Sequence, residues 1–296
     1  MMMAAAIGLG LMQRHFSAHR RRIAMKEFTY AGHEPSLLPA AKNWNLVWND
    51  EFDGTELDTS KWGFRLNFWG KPFPAFTTEG VVLDGNSHLQ LHVVKKDGQY
   101  CSPHLQTASL TYDIPKDTNA FWPFGKYEKP KFLHKYGFYE IRCRLNRQPG
   151  WWAAFWLQSP SIGAHPDARQ CGVECDIMES QDFPYGREMR CGNIWNGYGH
   201  DCQRPAGGHA HYILKETPDD WHRFAVDWSR DGYTFYTDGE VVHRVTDVVS
   251  DVEQFILVST ECMGYRKNPP APDPRLEKIT LPEFFEVDYV RVFDEC

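Results

Sequence analysis

The stretch "RFAVDWSRDGYTFYTDGEVVHRV" (223–245) constrains the fold more than any other part of the chain. Apolar and polar residues alternate through three short runs, separated at Asp231-Gly232 and Asp238-Gly239. Alternation puts successive side chains on opposite faces of a strand. Asp-Gly readily adopts the positive φ angles that a tight hairpin turn needs. Three consecutive antiparallel strands are therefore predicted. The pattern recurs in "HLQLHVV" (88–94), which follows the turn "DGN", and in "YGFYEIRCRL" (136–145), "FILVSTE" (255–261) and "FFEVDYVRVF" (284–293). In 136–145, Tyr139, Ile141, Cys143 and Leu145 share one face, and Glu140, Arg142 and Arg144 the other. No long helical period occurs anywhere. Many short alternating runs split by turn residues predict an all-β sandwich or barrel.

No linker, repeat or low-complexity stretch divides the chain after residue 43, so one domain is expected over 43–296, preceded by an N-terminal tail, 1–42. The tail opens "MMMAAAIGLGLMQRHFSAHRRR", with its apolar run before its positive charge. A secretory signal has the reverse order, and the run is too short to span a membrane. Met25 reads as an alternative start, and an atypical cleaved signal as the other explanation, so localisation stays unknown.

The net charge of -7 argues against a polyanion such as nucleic acid as partner. Aromatic content of 15%, with 11 Trp, exceeds what packing alone asks for and suggests stacking platforms. The 8 cysteines show no CxxC pair and no regular spacing, which disfavours both a disulfide scaffold and a zinc site. Free thiols are expected. Cys171 and Cys175, read on one strand, lie too far apart to bridge, and Cys191 with Cys202 is the pair that export would allow to close a loop.

Chemistry concentrates in "GVECDIMES" (172–180). Residues two apart on a strand share a face, so Glu174 and Asp176 point one way, and Val173, Cys175 and Ile177 the other. Unbroken alternation would drive Glu179 into the core, which is costly for an unpaired carboxylate. A one-residue bulge at Ile177-Met178 returns Glu179 to the acid face. Three carboxylates then form one row. Close carboxyl pairs suit glycosidase chemistry, and crowding raises at least one pKa, as a general acid requires. The same row also suits a solvated acidic edge or a calcium site. The strand "GWWAAFWLQSP" (150–160) places Trp152, Ala154, Trp156 and Gln158 on one face, with Trp151, Ala153, Phe155 and Leu157 on a core face. Trp152 and Trp156, separated by a small Ala, suit a wall against which sugar rings stack; core indoles are the alternative.

With these motifs in place, the chain resembles glycoside hydrolase family 16. The segments "LVWNDEFDGTELDTSKW" (46–62), "YGFYEIRCRL", "GWWAAFWLQ", "ECDIMES", "WHRFAVDWSRDGYTFYTDG" and "FEVDYVRVF" follow one another as in that family, from about 46 to 293. The resemblance implies a β-jelly-roll sandwich of two antiparallel sheets with a concave substrate cleft, and a retaining, endo-acting hydrolase. It assigns Glu174 as nucleophile, Glu179 as acid/base and Asp176 as the residue that tunes the pair. The extra residue before Glu179 is similar to the bulged branch of laminarinases, agarases, porphyranases and carrageenases. No cofactor is implied for catalysis. A structural calcium is implied at Glu51, the backbone oxygen of Gly85 and Asp288. Two departures stand out. Cys175 replaces the usual Ile or Leu, and Ile194 stands where many bulged members carry His before the Trp of "WNGYG". His200, His209 or His211 could supply that contact instead. Trp195 and Tyr198 are expected at the cleft rim, and Trp69, in the aromatic loop 65–76, as a further stacking residue.

The substrate class implied is a β-linked polysaccharide: a β-1,3- or mixed-linkage glucan first, a red-algal galactan second. A sulfated galactan would ask for cleft cations, for which Arg65, Arg142, Arg187 and Arg190 are available. Transglycosylation would use the same residues. A non-catalytic glucan-binding jelly roll is the reading from another class, disfavoured because both glutamates are present. A monomer with no membrane partner is expected, and the substrate class favours a secreted or periplasmic site of action.

Overall fold

A computed structural model describes residues 23–68, 70–109, 129–181, 187–195, 203–204, 208–215 and 220–296. Two large sheets face one another. The first runs Glu240–Val245, Gly232–Thr237, His222–Ser229, Gly137–Arg144, Phe284–Glu295, Leu89–His92 and Val81–Leu83, with Trp44–Asp50 also paired to Phe284–Glu295. The second runs Val94–Lys96, Gln99–Gln106, Phe255–Cys262, Trp151–Gln158, Glu174–Glu179, Glu188–Ile194 and Ala210–Ile213. Gly63–Phe64 and Phe76–Thr77 add to the Gln99–Gln106 strand, the latter in the one parallel pairing among the described strands. This is the jelly-roll architecture that the alternation and the resemblance anticipate.

The second hairpin turn forms as read, with Asp238 and Gly239 at φ 50° and 76°. The first turn sits one residue earlier than the Asp-Gly pair suggests. Ser229 pairs with Gly232, so Arg230 and Asp231 occupy the turn and Gly232 opens the next strand. Glycine is needed there for close approach, because a Cβ would come within 2.4 Å of the Val245 carbonyl oxygen.

Between the sheets, the predicted core faces meet. Tyr139, Ile141 and Cys143 from one sheet pack with Trp151, Ala153, Phe155 and Leu157 from the other, all at 0% exposure. Fully burying a large apolar side chain is worth about 1.5–3 kcal/mol, so this layer stabilises the sandwich and fixes which face of each strand is left for chemistry.

Residues 23–42, grouped with the tail on sequence grounds, pack onto the outer face of the first sheet. Met25–Phe28 pairs antiparallel with Ser36–Pro39, and Phe28 meets Phe293 edge to face at 5.0 Å. The Leu37 amide and the Tyr289 hydroxyl donate to Glu140, at 3.1 and 2.7 Å. Glu140 is consequently buried, and burial raises its pKa against the opposing effect of these hydrogen bonds. The sequence carried no sign of this cover, since alternation reports which face is polar and not what lies over it. Cys171 departs from its predicted strand. It ends a short helix, Ala168–Cys171, that is capped when the Asp167 carboxylate accepts from the Arg169 amide. The described cysteines are free thiols, and Cys202 lies outside the described residues.

Candidate active site

The acidic strand lies between Trp151–Gln158 and Glu188–Ile194. Its register against Trp151–Gln158 sets Glu174 opposite Gln158, Asp176 opposite Trp156 and Glu179 opposite Ala154. Trp156 pairs with Asp176 while its neighbour Phe155 pairs with Met178, so Ile177 is the additional residue of a β-bulge. A second register break between Asp176 and Glu179 appears on the other flank. Ile177 and Met178 both enter the core, at 1% and 0% exposure. The bulge therefore does what the broken alternation requires: two successive apolar residues turn inward, and Glu179 rejoins the face of Glu174 and Asp176.

The three carboxylates have distinct surroundings. The Gln158 amide donates to Glu174 at 2.9 Å. Asp176 is buried beneath the row. Glu179 has its pKa raised to about 7, first by burial and then by the charge of Glu174, with Arg190, Arg266 and Arg204 acting in the opposite direction. Glu174 thus sits in a polar setting beside an acid that holds its proton near neutrality, the division of labour that general acid catalysis asks for.

Trp152 and Trp156 occupy the same face, with Ala154, Phe255 and Leu257 between and beside them. Trp156 donates its indole N–H to Ser259 at 3.0 Å. Sequence reasoning missed that arginines cover both indoles. Arg266 lies 5.3 Å from the Trp152 ring and Arg65 5.7 Å from that of Trp156, both close enough for cation–π attraction. Arg266 is itself held by Glu261 in a bidentate pair at 2.7 Å. The two arginine–indole contacts join residues far apart in sequence, so no local pattern announced them. Trp195 is half-buried at the end of the neighbouring strand, bridged to Gln203 through the backbone. Trp69, Tyr198 and His200 lie outside the described residues.

Of the cations offered for a sulfated substrate, Arg65 faces Trp156 and Arg190 opposes Glu179 in register. Arg142 is in the other sheet, paired with Asp288 at 2.6 Å. Arg187 sits just before Glu188–Ile194 with positive φ. Of the histidines offered in place of Ile194, His211 pairs with Glu188 at 2.6 Å on an exposed edge. His209 instead reaches the site, with Nε2 3.4 Å from Asp176 Oδ2.

The calcium set does not fit. Arg291 donates to both carboxylate oxygens of Glu51, at 2.8 and 2.7 Å, and Asn49 adds a third donor. Asp288 is engaged by Arg142. A calcium ion needs six to eight oxygen ligands, and the two acids expected to anchor it are neutralised by guanidinium groups.

The family model "Glycosyl hydrolases family 16" matches residues 79–260. Glucan endo-1,3-beta-glucosidase A1 of Niallia circulans is 29% identical, over 87% of this chain and 39% of that relative, so the chain spans well under half of its length. Beta-glucanase of Rhodothermus marinus is 25% identical over 86% of each chain. Beta-porphyranase B of Zobellia galactanivorans is 23% identical, over 83% of this chain and 86% of its own. Among solved structures, the laminarinase catalytic domain of Thermotoga maritima superposes with a TM-score of 0.63 at 24% identity, covering 86% of this chain and all of that one. The kappa-carrageenase of Pseudoalteromonas carrageenovora gives 0.62 at 21%, covering 87% and 97%. At these identities the two superpositions speak for the fold alone.

Proposed function

The chain belongs to glycosyl hydrolases family 16 and is by that membership a glycosidase, and on this premise we propose that it is a retaining, endo-acting hydrolase of a β-1,3- or mixed-linkage glucan. The observation that carries the reading is the bulged row, which puts Glu174, Asp176 and Glu179 on one face with Trp152 and Trp156 on the adjacent strand. In this mechanism a sugar settles over the carboxylate row, beside the arginines that cover Trp152 and Trp156, which are 8% and 7% exposed and so buried rather than open stacking platforms. Glu179 protonates the glycosidic oxygen as the Glu174 carboxylate attacks the anomeric carbon, expelling the leaving chain and forming a glycosyl ester. Glu179, now ionised, takes a proton from water, which attacks the same carbon and releases Glu174 with net retention. Asp176, between the two, orients the pair.

Purified protein is expected to release oligosaccharides from laminarin, with the β-anomer formed first when products are followed by NMR. An α-anomer as first product would overturn the retaining mechanism. No reducing ends from laminarin, alongside release from porphyran or agar, would reverse the substrate assignment. That second reading has an observation of its own: Arg65 lies over the Trp156 indole on the cleft sheet, and porphyranases are among the relatives.

The pH dependence follows from the raised pKa. Glu179 acts as acid only while protonated, and its pKa is held at about 7. As pH rises through that value the competent fraction falls, so kcat/KM should drop about tenfold per pH unit on the alkaline side. The profile of kcat/KM in initial-rate assays checks this. A flat profile to pH 9 would remove Glu179 from the acid role.

A further inference from the structure

We propose that His209, Asp176 and Glu179 form a binding site for a divalent transition ion of the zinc class, set within the cleft. This goes beyond the glycosidase reading and stands on geometry that does not require it. Each residue offers one ligand atom, and the three atoms lie within 4.8 Å of one another. Asp176 and Glu179 share a strand across the bulge, and His209 reaches them from beyond the neighbouring strand. Gly192 makes that reach possible. It stands opposite Asp176 in register, and a Cβ on it would come within 2.6 Å of the His209 ring. With no side chain between them, the imidazole leans across to the carboxylate.

The contact formed is better suited to a shared ion than to a hydrogen bond. His209 Nε2 is buried without a hydrogen-bond partner among the described residues, and its side chain is only 9% exposed. Its separation from Asp176 Oδ2 is 3.4 Å. Ligands about 2.0–2.1 Å from a tetrahedral zinc lie roughly 3.3–3.4 Å from each other, so an ion fits without moving either group. One imidazole and two carboxylates form a donor set for zinc, copper or cobalt. Calcium and magnesium prefer more oxygens and no nitrogen. Burial pushes the His209 pKa down to about 4, so its lone pair is available at neutral pH. The charge of Glu174 adds attraction, whereas Arg190, Arg204 and Arg266 oppose it; His211 and His243 also face the imidazole. Two coordinating carboxylates supply the charge the ion needs. Occupation would engage Glu179 and so stop hydrolysis.

A second trio, Asp84, His88 and Glu286 on the other sheet, provides an internal control. Its carboxylates already accept from Asn86, His88, Gln90 and Arg144. Zinc binding to the purified full chain can be measured by equilibrium dialysis, and cobalt substitution by visible absorption. One tight ion per chain is expected, with a tetrahedral cobalt spectrum. His209→Gln and the isosteric Glu179→Gln should each weaken binding at least about tenfold, whereas His88→Gln should leave it unchanged. Absence of binding in the unaltered chain, unchanged affinity in either cleft variant, or loss of the ion in His88→Gln would overturn the proposal.

Discussion

Glu174→Gln is expected to reduce hydrolysis at least about 10⁴-fold, the scale on which removal of a nucleophile acts in covalent catalysis. Glu179→Gln should cost about 10²–10⁴-fold, the usual worth of a positioned general acid. The two losses differ in kind. An amide at 174 cannot form the glycosyl ester, so activity falls whatever the leaving group. An amide at 179 fails only to protonate the departing oxygen, so an aryl glycoside that leaves without a proton should recover most of the first step. In Glu179→Ala, added azide should accelerate turnover, because an anionic nucleophile needs no base to deprotonate it. Initial rates on laminarin and on an aryl glycoside separate these outcomes. Fold should persist in the glutamine variants, since Gln preserves side-chain volume and both positions lie on the cleft face rather than in the core. Activity unchanged in both would remove the row from the mechanism and leave a glucan-binding jelly roll as the better reading. Equal losses in both variants on both substrates would break the division of roles between 174 and 179.

How far the sequence reached depended on whether the information was local. The strands at 137–144, 222–245 and 284–295 were legible because alternation is a property of neighbours. The bulge was legible for the same reason: a carboxylate one place out of phase has only one inexpensive solution, and the register shows Ile177 as the additional residue. What stayed hidden is what the fold brings together from afar. Gly192 gave no hint in sequence that it faces Asp176, or that His209 would lean across it. Arg65 and Arg266 carry no pattern that places them over Trp156 and Trp152. The hairpin of residues 25–39 looked like tail because its strands are only four residues each, and its worth lies in contacts with Glu140 and Phe293. The expected calcium acids show the same limit. Glu51 and Asp288 were named by the resemblance, but their partners, Arg291 and Arg142, could be found only in three dimensions.

Arg291 leads to the largest stability effect expected in the molecule. It is fully buried, and its partner Glu51 is 4% exposed. The guanidinium donates twice to Glu51, and to the Glu34 carbonyl and the Ser36 hydroxyl at 2.9 Å each, while lying 3.7 Å from the Tyr289 ring centre. One side chain thus ties Trp44–Asp50, Phe284–Glu295 and the N-terminal hairpin together. Arg291→Met keeps the bulk of the side chain but takes the guanidinium from the buried Glu51 carboxylate, leaving it the Asn49 amide at 2.9 Å and the His33 ring at 3.7 Å. Breaking a buried pair in this way costs about 3–5 kcal/mol, because an uncompensated charge remains. That is a large part of the 5–15 kcal/mol typical of a folded domain. Replacing both partners removes the stranded charge, so Arg291→Met with Glu51→Gln should recover much of the loss. An exposed pair such as Lys96 with Glu79 should behave differently, with Lys96→Ala leaving the urea midpoint essentially where it was. Since the guanidinium already meets the charge of Glu51, a chelator should leave the melting temperature of the unaltered protein where it was. Urea denaturation of the three variants and a thermal scan with and without EDTA test this together. A marked drop in Tm on chelation would show that calcium, and not Arg291, holds this corner of the fold. An Arg291→Met variant as stable as its parent would show that Glu51 finds another partner.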